Sequence, residues 1–285
     1  MSAAEKDKRG ALKYITEETV GAALKNITHG KVYNLGVVVD EKSPAWGPRK
    51  NAVHIEQMQI GEGDHVQLIH DDSLQLHVGI GTHIDTLSHV GHNGEFYGGH
   101  TSAEVFDKGG VKIMGTETVS NIVAQCVILD MAKYLKVDII PAGTVLTKSD
   151  IENATKEAGV TIAQGSVVLL HTGWIEHGWG ANVNNGLFNS GEPGIGMEAG
   201  KYLADSGVVL VGADTWGVEV MPAEPGTTLP YPIHNFLIKE SGVLLGEIFD
   251  TRELVKDGVT QGTISIQVVA IAGAVQSRVN PQVFT

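Results

Sequence analysis

Gly81-Thr82-His83-Ile84-Asp85-Thr86-Leu87-Ser88-His89 brings two imidazoles and a carboxylate into one short stretch. His83 and Asp85 are two residues apart, so in extended backbone their side chains point to the same face. Gly81, just ahead of them, permits a close backbone approach or dihedrals that other residues avoid. Imidazole plus carboxylate is a mixed N/O donor set suited to Zn²⁺ or Mn²⁺. Such an ion lowers the pKa of bound water towards about 7 and polarises a carbonyl oxygen. His89, four residues beyond Asp85, suits a general acid/base better than a ligand. Seven of the twelve histidines (His65, His70, His77, His83, His89, His92 and His100) fall between residues 65 and 100, so hydrolytic chemistry is sought here first.

Outward from this run the pattern is mixed α/β. Upstream, residues 11–28 read as a helix, 32–39 as a buried strand, 43–48 as a Pro- and Gly-punctuated loop, and 52–58 and 74–80 as strands. Downstream, 126–131, 167–171, 208–212 and 264–271 are short, β-branched apolar runs typical of buried strands. Between them 149–158, 197–204 and 252–256 read as helices, with Ser149 and Glu152 placed as a capping box. The Gly- and Asn-rich segment 174–196, with Trp174 and Trp179 and no periodicity, reads as a lid or pocket wall. No repeat or linker divides the chain, which predicts one α/β domain over 1–285.

Composition narrows the classes. The chain has 285 residues, is 42% hydrophobic and 19% charged, and carries a net charge of −13, which argues against nucleic acid or an anionic membrane surface as partner. The single cysteine, Cys126, lies in an apolar run and reads as a buried structural thiol; it excludes an intramolecular disulfide and cysteine-based zinc sites. Neither a signal-peptide h-region nor a spanning apolar stretch is visible, so a cytoplasmic location is expected. A Gly-x-Ser-x-Gly elbow, a dinucleotide fingerprint and a Walker loop are all missing. His171 at a strand end reads as a hydrogen-bonded core histidine, His70-Asp71-Asp72 as a turn, and Asp214 equally as a strand-end cap or as a group behind the site.

Gly-Thr-His-Ile-Asp-Thr-Leu-Ser-His resembles the signature of the metal-dependent cyclase family, His-x-Gly-Thr-His-x-Asp-x-Pro-x-His in many members. That family includes bacterial kynurenine formamidase, isatin hydrolase and a metal-dependent trans-dienelactone hydrolase. Similarity extends to 168–174, 207–215 and 234–247, where His234 and Glu247 match the histidine and glutamate of the segment closing the family's site. The resemblance implies a swivelling β/β/α fold with mixed sheets, a homodimer, and a site of one or two divalent ions. It makes His83, Asp85, His234 and Glu247 metal ligands, His89 the general acid/base, and Trp46 an aromatic that lines the substrate pocket. The family's first ligand histidine stands four residues before His83, where this chain has Gly79. His77, two residues further upstream, would share a strand face with Gly79 and reach the ion from there. Otherwise water fills that position, or only the Asp85, His234 and Glu247 side of a two-ion site is built. Leu87 replaces the common proline and alters only the local turn. The implied activity is opening of a small cyclic amide or cleavage of a formamide. The alternatives are a lactone hydrolase of the same family and a degenerate relative that binds a metal or small molecule without turnover.

Overall fold

The computed structural model describes residues 7–180 and 185–285. Its main sheet is assembled from β1 (Val32–Asn34), β4 (His83–Asp85), β5 (Ile122–Asp130), β6 (Val167–His171), β7 (Leu210–Ala213), β8 (Leu244–Glu247), β9 (Gln261–Ile266), β10 (Gln276–Arg278) and β11 (Gln282–Phe284). A separate hairpin is made of β2 (Asn51–Ile60) and β3 (Gln67–Leu76). The spatial order of the main sheet is β1-β11-β9-β5-β6-β7-β8-β4-β10. Its centre, β5-β6-β7-β8, is parallel, and antiparallel strands flank it on both sides. The central strands carry the near-continuous apolar sequence that burial on both faces demands. Val167 through Leu170 and Val208 through Val211 are all fully buried, and Cys126 lies among them as a core thiol. The architecture is the mixed α/β fold expected from the sequence.

Helices cover the sheet. α1 (Glu17–Leu24) packs on β5, and so does α2 (Lys148–Glu157), which also contacts α3 (Met197–Asp205). The helix expected over 11–28 is two pieces, a 3₁₀ turn at Gly10–Tyr14 and then α1. The break falls where Thr16 leaves helical geometry to cap α1, its hydroxyl accepting from the Thr19 N–H. α2 starts two residues earlier than Ser149 suggests. Its capping box is Thr147 with Asp150, which reciprocate hydrogen bonds.

Three other expectations are corrected. The strand read at 32–39 is regular only over β1; beyond it the chain continues without a ladder partner, held by contacts such as Val37 N–H to Thr82 Oγ1 at 3.0 Å. His70-Asp71-Asp72 is not a turn but the middle of β3, paired with Gln57, Glu56 and Ile55. The segment 174–196 is largely packed rather than a free lid. Trp174, Ile175, Trp179 and Phe188 form a second apolar cluster with Ile80, Trp216 and Ile248, and residues 181–184 lie outside the described residues. The Trp174 indole donates to the Phe188 carbonyl and the Trp179 indole to the Val38 carbonyl, so both polar edges are satisfied.

Asp214 resolves as a strand-end cap. Its buried carboxylate accepts from the N–H groups of Thr172, Gly173 and Trp174 and from the Thr172 hydroxyl, tying the end of β7 to the turn after β6. His171 is buried as anticipated, with Nδ1 2.9 Å from the Thr251 hydroxyl.

Candidate active site

β4 lies between β8 and β10, antiparallel to both. Residues directly opposite one another in an antiparallel ladder share a face. His83 faces Glu247 on one side and Arg278 on the other, while Asp85 faces Leu245 and Gln276. A three-residue strand therefore collects one imidazole, two carboxylates and an amide on a single face, although the residues lie far apart in the chain. Gly81, with φ +77°, turns the backbone into β4, and a Cβ there would stand 2.4 Å from the Val39 side chain.

His83, Asp85 and Glu247 offer ligand atoms that all lie within 4.8 Å of one another, and all three residues are buried. His234 joins them from the junction of the short helix Pro232–His234 and the π-helical turn Asn235–Ser241. Its Nε2 is 3.1 Å from Glu247 Oε1 and 3.7 Å from Asp85 Oδ2. His89 Nε2 stands 3.7 Å from Asp85 Oδ2, and a quarter of its side chain is exposed to the cavity. The run at 81–89 and the distant pair His234 and Glu247 thus meet in one place.

Both inner imidazoles are oriented from behind. His83 Nδ1–H donates to the Gly81 carbonyl at 2.8 Å, which leaves Nε2 to face the cluster. His234 Nδ1 is held by Glu219 Oε1 at 2.5 Å, and the same carboxylate accepts from the His234 and Ile233 N–H groups. Gln276 Nε2 donates to Asp85 Oδ1 at 2.7 Å and fixes that carboxylate in turn. Supports of this kind orient metal ligands, and the acceptors behind the two imidazoles also raise imidazole basicity.

The donor set fits a divalent ion. His83 Nε2 and Asp85 Oδ2 are buried with no hydrogen-bond partner among the described residues. His83 Nε2 lies 3.0 Å from Glu247 Oε2, off the line a hydrogen bond needs. Each buried polar atom left in that state costs about 1–3 kcal/mol, a penalty that coordination removes. The electrostatics agree. Burial disfavours a charged His83, yet Glu247 and Asp85 outweigh burial and hold its pKa above the ordinary value. His234 is pushed well up in the same way, with burial overcome by Glu219 and Glu247. Burial would raise Glu247, but the two imidazoles pull it below the usual carboxylate range. Clustered carboxylates here demand positive charge, which a divalent ion would supply.

His89 differs. Burial is the largest influence and lowers its pKa despite the neighbouring Asp85, which leaves a neutral imidazole ready to accept a proton. It opens onto a cavity of about 290 Å³ lined by Trp46, Arg49, Gly79, Trp216, Tyr231 and Gln276 among others. Trp46 and Trp216 meet edge to face, with ring centroids 4.9 Å apart, and form an aromatic wall.

His77 is not brought to this cluster. It is exposed on the far side of a turn, its Nδ1 accepting from the Lys50 N–H at 3.1 Å. The strand alternation that would aim it inward ends at Leu76, because the chain turns and the Ile80 N–H bonds the His77 carbonyl. Sequence reasoning also left out Glu219, Gln276, Trp216 and Arg49. None stands in a recognisable spacing from the run at 81–89; only the pairing of distant strands and the aromatic wall reveal them.

Residues 33–220 match the family model named Cyclase. A solved structure described as a novel cyclase superimposes with a TM-score of 0.87 at 25% identity, over 98% of this chain and 96% of its own. An isatin hydrolase bound to the product analogue thioisatinate gives a TM-score of 0.64 at 20% identity, covering 93% of this chain and 96% of its own. A structure described as a "Potential Metal-Dependent Hydrolase With Cyclase Activity" gives 0.55 at 20% identity, over 90% and 98%. No curated protein matches the chain.

Proposed function

Because the chain belongs to the cyclase family, we propose that it is a metal-dependent hydrolase of a small cyclic amide or formamide. The observation that carries this reading is the buried His83–Asp85–Glu247 set, with two unpartnered ligand atoms, next to a neutral histidine that opens onto an aromatic-walled cavity. The similarity to an isatin hydrolase and to a structure described as a metal-dependent hydrolase points the same way.

In this reading His83, Asp85, Glu247 and His234 would hold the divalent metal, one or two ions of Zn²⁺ or Mn²⁺, which would supply Lewis acidity towards a carbonyl oxygen and water. Trp46 and Trp216 hold a flat substrate ring by stacking and edge contacts. His89 Nε2 accepts a proton from the attacking water and returns one to the leaving nitrogen. Asp85, 3.7 Å from His89 Nε2, stabilises the imidazolium between those two transfers. Glu219, fully buried, holds His234 in place, and Gln276, at the cavity wall, fixes Asp85.

The test is a metal analysis of the purified protein followed by hydrolysis assays on N-formylkynurenine, isatin and a dienelactone. Stoichiometric Zn or Mn with turnover of the first or second is expected. Turnover of the lactone alone selects lactone hydrolysis. Protein that carries no metal and hydrolyses none of the three overturns the reading.

We also infer that the partner is a second copy of the chain. The β2–β3 arm is exposed along both faces. Val53, Ile55 and Leu74 line one face near its base, and Met58, Ile60 and Ile69 line the opposite face near its tip. An isolated two-stranded ribbon with bare apolar side chains is marginal in water. Residues 51–76 contain no lysine or arginine but include Glu56, Glu62, Asp64, Asp71 and Asp72, a charge that repels anionic membranes and nucleic acid. A two-fold contact lets the base patch of each copy meet the tip patch of the other, burying both sets at once. Sedimentation is expected to give a dimer that Ile55→Asp with Leu74→Asp converts to monomer. A monomeric parent protein refutes the arrangement.

A further inference from the structure

The turn from Trp46 to Arg49, closed by the Arg49 N–H to the Trp46 carbonyl at 3.0 Å, presents two side chains to one cavity. Trp46 joins the aromatic wall. The Arg49 guanidinium lies against the bare backbone of Gly79: a Cβ at that glycine would stand 2.6 Å from Arg49 Nη1 and 3.4 Å from Cζ. The same point is 3.6 Å from Gln276 Nε2, the atom that donates to Asp85 at 2.7 Å. One side chain thus separates the guanidinium from the carboxylate at the centre of the site, and the space it uses exists because residue 79 has no side chain.

Arg49 makes no ion pair or side-chain hydrogen bond among the described residues. Among the described residues no carboxylate pairs with it: Asp85 Oδ1 accepts from Gln276, and Glu247 lies between His83 and His234. Beyond Lys50 the next lysine or arginine is Lys108, and of this stretch's lysines and arginines it is Arg49 that lines the cavity. Arg278, across β4, is committed to the Ile80 carbonyl. A guanidinium without a partner at the exposed rim of this cavity, in a protein with net charge −13, is a receptor for an anion, and its planar fork matches a carboxylate with two parallel hydrogen bonds.

We propose that Arg49 binds a carboxylate on the ligand, so that the molecules taken by this cavity are small acids with a flat ring: the ring lies at Trp46 and Trp216, and the carboxylate sits over Gly79. As a statement about substrate it rests on the hydrolase reading, but the binding claim does not require turnover. Without Arg49 the cavity wall opposite the proposed ion carries no cation for an acid, and the preference over a neutral counterpart falls.

Benzoate and benzamide, a carboxylate and its near-isosteric neutral counterpart, test this with the purified metal-containing protein. Binding followed by titration calorimetry and by Trp fluorescence is expected to favour benzoate by about 10- to 100-fold. Arg49→Gln is expected to bring the ratio close to one, with benzamide affinity and metal content within about twofold of the parent. Arg49→Lys is expected to restore part of the preference, since it keeps the charge but loses the fork. Gly79→Ala is expected to lower the ratio by pushing the guanidinium aside with Arg49 intact. A benzoate preference that survives Arg49→Gln overturns the proposal, because the anion is then held by the ion; failure of the parent protein to bind benzoate overturns it as well. Arg49-dependent binding in a protein that hydrolyses nothing would refute the hydrolase reading and leave this one standing. Turnover of a carboxylate-bearing amide whose KM is indifferent to Arg49→Gln would do the reverse.

Discussion

Replacing His89 with alanine is expected to lower turnover by about 10²- to 10⁴-fold while the protein keeps its full complement of metal. The separation follows from position. His89 lies 3.7 Å from Asp85 and opens onto the cavity, with a quarter of its side chain exposed, whereas His83 and Asp85 are wholly buried. Burial keeps its imidazole neutral, the state a proton acceptor needs. Truncating a partly exposed ring at a cavity wall removes little packing, so melting temperature is expected to stay close to that of the parent. His89→Gln is expected to behave like alanine, since an amide hydrogen-bonds but does not exchange protons near neutrality. Full turnover in either variant would assign the proton transfers elsewhere.

His83→Ala is expected to act one step earlier, on metal content itself. Losing a residue that merely supports a ligand costs about 10- to 100-fold in metal affinity, and loss of a ligand costs at least that. Purified His83→Ala protein should therefore carry less than about a tenth of the parent's metal after dialysis, and its turnover should fall with that content. The variant also strips Glu247 of its nearest imidazole at 3.0 Å and leaves a buried carboxylate short of a partner. A circular dichroism melt separates the two effects: folded protein without metal fits the assignment, and folded protein with undiminished metal refutes it. Asp85→Asn offers a second route to the same point, because Gln276 still has an oxygen to bond while the negative charge is gone.

The parts of this site that were legible in the sequence were those whose geometry is local. His83 and Asp85 share a face because one residue of strand, Ile84, separates them, and His89 follows within the same turn-rich run. His234 and Glu247 were reached only through likeness to a family. Their spacing alone says nothing, because what brings them in is a π-helical turn and a ladder to β4. Glu219 and Gln276 carried no signal at all: an acid near a strand end and an amide on an edge strand are ordinary until the register places them. His77 misled because strand alternation was extended past the residue where the strand stops. The segment 174–196 misled for a different reason. Its glycines and asparagines suggest an open loop, but Trp174, Trp179 and Phe188 drive it into a core of its own. In the arm, β3 went unread over its first half because a ribbon solvated on both faces has no hydrophobic period to display.

The lodging of β4 between β8 and β10 has a consequence for the order of events during synthesis. β4 emerges from the ribosome long before either neighbour, and closing so long a span costs entropy that no early contact offsets. Until β8 and then β10 arrive, His83 and Asp85 sit on a strand with two open edges and no Glu247 to answer them. On the proposed ligand set, an ion meeting the nascent chain would find two ligands rather than four. Metal capture would then be a late checkpoint, reached only once the C-terminal strands have docked.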